Sequence, residues 1–182
     1  MTRPFQAVVV DIFSVSGNNF LVYVDRLSGY PALHYFEDSG CTSRLIKTVM
    51  ERFFIDYAIP EVLESDGGTN FSSREFQEFL SFWGVECRCS SPHNPPQSNG
   101  LAEACVKKLK YLVKKTMNGN GNKIDQSKIN LGFLEMRNSP RIKDGLSPTK
   151  IVFARSTRSI LPILPEFHQK RSQELCKAPK PI

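Results

Sequence analysis

Apolar side chains in this chain fall first in short continuous runs and later recur with a period near 3.6. Ala7-Val-Val-Val-Asp-Ile-Phe13 is short, apolar and β-branched, the pattern of a buried strand. Ser16-Gly-Asn-Asn19 supplies turn chemistry, and Phe20-Leu-Val-Tyr-Val24 forms a second strand of a hairpin. After Ser28-Gly29, Tyr30 to Phe36 completes an antiparallel meander. The pattern changes beyond Gly40. Thr42 or Ser43 can cap a helix in which Leu45, Ile46, Val49, Met50, Phe53 and Phe54 share one face. Glu61-Val-Leu-Glu-Ser65 is a short strand ending at Asp66. Ser72 or Ser73 starts a helix through Phe76, Phe79, Leu80 and Trp83, and Gly84 stops it before the strand Val85-Glu-Cys-Arg-Cys89.

Ser90 to Gly100 is a loop rich in Ser, Pro and Asn, followed by a long helix to about Met117. Gly119-Asn-Gly-Asn122 breaks it, a helix follows from Asp125 to Asn138, and Pro148 opens a last one through Thr149–Ala154. The expected fold class is α/β, with three antiparallel strands, then two parallel ones, in a mixed five-stranded sheet with helices on both faces. Residues 1–154 form the core, and 155–182 a basic, proline-containing extension.

Composition adds limits. A chain of 182 residues, 40% hydrophobic and 23% charged, holds one soluble globular domain and a tail. No apolar run approaches a membrane span, and the first residues lack an apolar signal region. Cys41, Cys87, Cys89, Cys105 and Cys176 are irregularly spaced, which fits reduced thiols rather than a disulfide framework. Cys87 and Cys89 with His93 lack the paired spacing of a zinc site.

Charge is strongly partitioned. Residues 1–103 carry 7 Lys/Arg against 13 Asp/Glu, whereas 104–182 carry 17 against 5. An acidic half followed by a basic half suits a cation-holding centre flanked by a phosphate-binding surface; a helix face solvated by lysines is the competing reading.

Three carboxylates stand out. Asp11 interrupts an apolar strand, where an ionised group needs a cation or several donors. Asp66 ends a strand just before two glycines, at the sheet edge where α/β folds place ligands; a plain Asp-Gly turn is the alternative. Glu103 lies in the first turns of the long helix. At 100° per residue, Glu103, Lys107, Lys110 and Lys114 share a stripe roughly 60° wide. Leu101, Cys105, Leu109, Leu112 and Val113 cover the other side, so the stripe should point away from the core. Ordinary i,i+4 pairing would give the same spacing. Together the three carboxylates could supply a hard-cation site.

Several segments resemble the integrase catalytic core of retroviruses and long-terminal-repeat retrotransposons, with a gypsy-like flavour. They are Val10-Asp11-Ile12-Phe13, Phe20 to Tyr30, Ile59-Pro60 with Ser65 to Phe71, and Pro96-Gln-Ser-Asn-Gly-Leu-Ala-Glu103. Asn138-Ser-Pro140 and Gly145-Leu-Ser-Pro148 look like the same group's closing region. The likeness runs from about Phe5 to about Pro165. It implies a ribonuclease-H-like fold and a metal triad of Asp11, Asp66 and Glu103 holding two Mg²⁺ or Mn²⁺ ions. It implies a polynucleotidyl transferase with endonuclease activity, which processes the 3′ ends of element DNA and transfers them into target DNA. It also implies DNA contacts at Lys107, Lys110, Lys114, Asn99 and Gln97, action as a homo-oligomer, and no membrane or small-molecule cofactor. A nuclear location follows, with a cytoplasmic share. Between Asp66 and Glu103 lie 36 residues, one more than the family pattern, which the second proline of Pro95-Pro96 accommodates. Asp11 lies ten residues from the start, so no zinc-binding domain is expected before it. The alternative is a domesticated or degenerate descendant that binds DNA or chromatin without catalysis. A ribonuclease H is a third, less fitting one.

Overall fold

A computed structural model describes residues 1–37, 40–66, 68–89, 100–117, 124–142 and 144–160. Their elements, in chain order, are β1 (Ala7–Val15), β2 (Asn18–Asp25), β3 (Pro31–Phe36), α1 (Ser43–Tyr57), β4 (Val62–Ser65), α2 (Thr69–Ser72), α3 (Arg74–Phe82), β5 (Glu86–Cys89), α4 (Gly100–Thr116), α5 (Gln126–Asn138) and α6 (Pro148–Phe153). The sheet runs β3-β2-β1-β4-β5. Its first three strands pair antiparallel, while β4 pairs parallel with both β1 and β5. This is the mixed sheet the sequence pattern predicts. None of the described helices is long and apolar enough to cross a membrane.

Local chemistry explains the joints. Ser16 and Gly17 both adopt positive φ (49° and 82°), the mirror-image turn whose twist matches a hairpin. The turn is thus tighter than expected, and Asn18 and Asn19 join β2. Thr42 caps α1 by accepting from the Leu45 N–H, Ser73 caps α3 through Phe76, and Asp125 caps α5 through Lys128. Gly84, at φ 68°, ends α3 as its position suggests. The one-turn α2 has no counterpart in the sequence pattern. Its Phe71 is buried and packs edge-on against Phe76, with ring centroids 5.4 Å apart, so tertiary burial rather than periodicity forms it.

Strand alternation builds two cores, one on each face of the sheet. Val8, Val10, Leu21, Tyr23 and Leu63 face α1 and α3. Phe13, Phe20, Val22 and Val24 face Leu109 and Val113 of α4 and Ile129 and Phe133 of α5. Asp11 shares the parity of Phe13, so it lies on the α4 face.

Between β2 and β3 the chain turns around a sealed carboxylate. Asp25 is 0% exposed; its Oδ1 accepts the Phe5 N–H at 2.8 Å, and its Oδ2 accepts the Ser28 N–H at 2.9 Å and hydroxyl at 2.5 Å. A buried charge with three donors is stable; three buried donors without it are not. Asp25→Ala should therefore cost at least about 3 kcal/mol in denaturant unfolding, with Asp25→Asn in between. Equal stability for both variants and the parent would remove Asp25 from this role.

His34 on β3 packs edge-on against Phe36, 4.8 Å between centroids, and burial lowers its pKa from the ordinary 6.5. The unfolded chain then takes up this proton first as pH falls, so the folded state loses stability below 6.5. Melting temperatures followed from pH 7.5 to 5 should drop, and the drop should be shallower in His34→Gln.

Candidate functional site

Parallel pairing of β1 with β4 matches Ala7 to Val62, Val8 to Leu63 and Val9 to Glu64. The same register carried two residues further sets Asp66 beside Asp11, on the sheet face that α4 covers. Asp11 lies mid-strand opposite Val22 of β2, with its side chain 18% exposed. Asp66 is exposed and directly follows the last residue of β4. The Gly68 N–H donates to its Oδ1 at 3.0 Å, a bond of the kind aspartate makes in turns. A Cβ on Gly68 would lie 3.1 Å from that same Oδ1, so glycine lets the chain pass close to the carboxylate. Two residues upstream, Glu64 and Arg26 form a buried ion pair whose side chains are 6% and 7% exposed. By alternation Glu64 lies on the same sheet face as Asp66.

The N-terminal turns of α4 rest on the turn that Asp25 holds. Gly29, at φ 71°, leaves room for Leu101, whose Cγ would sit 3.3 Å from a Cβ there. The Cys105 thiol donates to the Gly29 carbonyl at 3.5 Å, and burial pushes its pKa up to about 11. Glu103, in the first turn, is exposed, as are Lys107 and Lys114. Lys110 departs from the expected solvent-facing stripe. Its Nζ lies 2.7 Å from Asp11 Oδ2 and 5.4 Å from the centre of the Phe13 ring. A helical wheel gives an angle but not a reach, and a four-carbon stem bridges the gap from helix to strand. Leu101 also differs from the expected apolar side, being 39% exposed, while Ala102 and Val106 are buried and widen the packed face.

The structure thus pairs Asp11 with Lys110, carries Asp66 just past the end of the neighbouring strand β4, and mounts Glu103, Lys107 and Lys114 on α4. Among the described residues, no three His, Cys, Asp or Glu side chains gather closely enough to hold one metal ion. Gln97 and Asn99 lie outside the described residues. Two features were missed in the sequence. Phe13 seats the Lys110 ammonium, and its place two residues after Asp11 on one strand face was the available signal. Tyr111 is 60% exposed with the Lys115 ammonium 5.0 Å from its ring centre, and a lone tyrosine on a lysine-rich helix gives no such signal. Cys41, Cys87, Cys89 and Cys105 are free thiols, as expected.

A five-stranded mixed sheet with carboxylates on adjacent parallel strands and a covering basic helix is the ribonuclease-H-like architecture of integrase catalytic cores. The chain belongs to the integrase core domain family, whose model matches residues 1–95. It is 27% identical over 163 residues to an uncharacterized Caenorhabditis elegans protein, covering 88% of this chain and 12% of that protein. With the Gag-Pol polyprotein of feline leukemia virus it is 30% identical over 138 residues, 73% of this chain and 8% of the polyprotein. The chain therefore spans about a tenth of the length of these relatives. Among solved structures, it is similar to a chain of the simian T-cell lymphotropic virus intasome in complex with PP2A regulatory subunit B56 gamma. That likeness has a TM-score of 0.70 at 19% identity and covers 91% of this chain and 60% of that one. The HTLV-2 integrase catalytic core domain in complex with magnesium, in a trimeric form, matches with a TM-score of 0.62 at 19% identity, covering 82% and 97%.

If the Gly68 approach sets the Asp66 carboxylate, Gly68→Val should weaken Mn²⁺ uptake several-fold while changing unfolding free energy by less than about 1 kcal/mol. Calorimetric Mn²⁺ titration beside a denaturant curve checks this; unchanged uptake would detach Gly68 from the site.

Proposed function

We propose that this chain is a catalytic core for DNA integration, performing 3′-end processing and strand transfer. The observation that supports the reading is the parallel β1–β4 register, Val9 matched to Glu64, which carried two residues further would set Asp66 level with Asp11 on the face of basic helix α4. In end processing, water attacks a phosphodiester near the element end and a 3′-hydroxyl leaves. In strand transfer that hydroxyl attacks a target phosphodiester, joining the two strands and releasing a new 3′-hydroxyl from the target. Both are in-line displacements in which negative charge builds on phosphoryl oxygens.

Carboxylate oxygens from the middle of β1 and from just past the end of β4 are the hard donors that Mg²⁺ or Mn²⁺ prefers, and Asp11 already draws a cation, the Lys110 ammonium. Asp11 and Asp66 fit such ions, and Glu103 completes the proposed triad from α4. Two bound divalent ions would supply activation of the attacking oxygen and charge stabilisation at the leaving one. The protein's own share is placement. Lys107 and Lys114 hold backbone phosphates along the exposed ridge of α4. Asn99 and Gln97 meet the DNA terminus in this proposal, carried over from the family likeness. The same likeness supports work on DNA in a homo-oligomer, acting on chromosomal DNA in the nucleus.

A second reading, DNA binding without catalysis, draws on the lack of a gathered three-carboxylate cluster among the described residues. One assay separates the two: joining of a labelled, recessed duplex end in Mg²⁺ or Mn²⁺. The parent chain should yield joined products, and Glu103→Gln should cut them at least ~100-fold, the loss of several kcal/mol of charge stabilisation. Retained DNA binding with no products from the parent chain would favour the second reading. Products that survive Glu103→Gln would remove Glu103 from the triad. Replacing Lys107 and Lys114 by Ala should flatten the dependence of log affinity on log salt by about 2. An unchanged slope would make the ridge a solvated face only.

A further inference from the structure

Lys110 is the one lysine of the α4 ridge that turns inward. Its neighbours on that ridge, Lys107 and Lys114, are exposed, but its Nζ bonds Asp11 at 2.7 Å and sits over the Phe13 ring. Asp11 is the more enclosed member of the pair, with a side chain 18% exposed against 43% for Lys110. A carboxylate that enclosed needs a counter-ion, and Lys110 supplies it. Phe13 gives the ammonium an apolar and electrostatic seat on the same strand face.

We propose that Lys110 is a counter-ion latch, exchanged between Asp11 and DNA phosphate as divalent cation binds. The proposal rests on the reading of Asp11 as a metal ligand. A divalent cation on Asp11 competes with the ammonium for the same oxygen lone pairs and repels it at close range. The divalent ion carries the greater charge, so the ammonium leaves. A lysine on a flexible stem then swings outward from Phe13 and joins Lys107 and Lys114, adding one cation to the phosphate-facing ridge. Two consequences follow from linkage. Cation binding strengthens DNA binding, and DNA, by holding the released ammonium, strengthens cation binding by the same factor.

The test uses the whole 182-residue chain, Mn²⁺ as the probe, and a duplex with blocked 3′ ends so that no joining occurs. Without DNA, Lys110→Gln should bind Mn²⁺ several-fold more tightly than the parent, since no ammonium need be displaced. Lys114→Gln removes the same charge from the same ridge and should change Mn²⁺ affinity by less than about twofold. With DNA, Mn²⁺ should steepen the parent's salt dependence by about one phosphate contact, a slope change of ~0.9, and leave that of Lys110→Gln unchanged. Equal Mn²⁺ affinity in Lys110→Gln and the parent, or a slope change that persists in Lys110→Gln, overturns the latch alone. Mn²⁺ uptake that is absent from the parent, or that survives Asp11→Asn, overturns the metal reading of Asp11 and the latch with it.

Discussion

Asp25 holds the molecule at the point where most of its parts meet, although it takes no part in the proposed chemistry. Its carboxylate receives Phe5, just ahead of β1, and Ser28, in the turn that leads into β3. Three further elements then use that turn as a platform. The start of α4 docks on Gly29 through Leu101 and Cys105. From the end of α5, Arg137 donates twice to the Pro31 carbonyl and stacks 4.4 Å over Tyr30. Just beyond α5, Arg141 donates to the Leu27 carbonyl at 2.7 Å. The two arginines join segments more than a hundred residues away to one tight turn. Losing the turn would free α4 to shift, and with it the lysine ridge and Glu103.

The second constraint is the register of β1 on β4. Both the Glu61 and Val62 N–H groups donate to the Gln6 carbonyl, and the Arg3 and Gln6 side chains clasp Glu61 from outside. Inside, Arg26 at the end of β2 reaches across to Glu64. A slip by one residue would turn Leu63 out of its core and bring Glu64 into it. The buried ion pair is better understood as a register lock than as a source of net stability, because desolvation offsets much of its Coulomb attraction. Its reward is positional: Val9 is matched to Glu64, a register that extended two residues would bring Asp66 level with Asp11.

Much of this was legible in the sequence where a single periodicity ruled. The Ala7–Phe13 run and the helical spacing from Leu45 to Phe54 each translate directly into an element, and Gly84 ends one, since a strand buried on both faces and a helix packed on one face each leave a local signature. Legibility fails where a residue answers to two partners. Asp25 reads as an ordinary turn aspartate, and only its closure over Phe5 shows it to be sealed. Ala102 and Val106 fall outside the expected apolar side of α4 because the helix packs against both the sheet and α5, which demands a wider stripe than either alone. Phe71 forms a turn of helix without periodicity. At the candidate site, the strand-end position of Asp66 was readable, but its alignment with Asp11 depends on strand pairing, which no local pattern encodes.

Lys110 shows how the two halves of the charge distribution meet. The acidic first half of the chain contributes the sheet carboxylates, and the basic second half contributes α4 and the segments after it. In the proposed function, long-range attraction would draw a polyanion toward the basic half, and phosphate would then have to approach the carboxylates that repel it. Some cation must stand between them at every stage. In the present arrangement an ammonium does so, on a side chain rooted in the basic half and bonded to the acidic one. Anchored to a helix that is itself fixed by the Asp25 turn, it can move only by rotation about its own stem. A rigid scaffold with one flexible charge at the seam would let the proposed exchange of partners proceed without moving the fold.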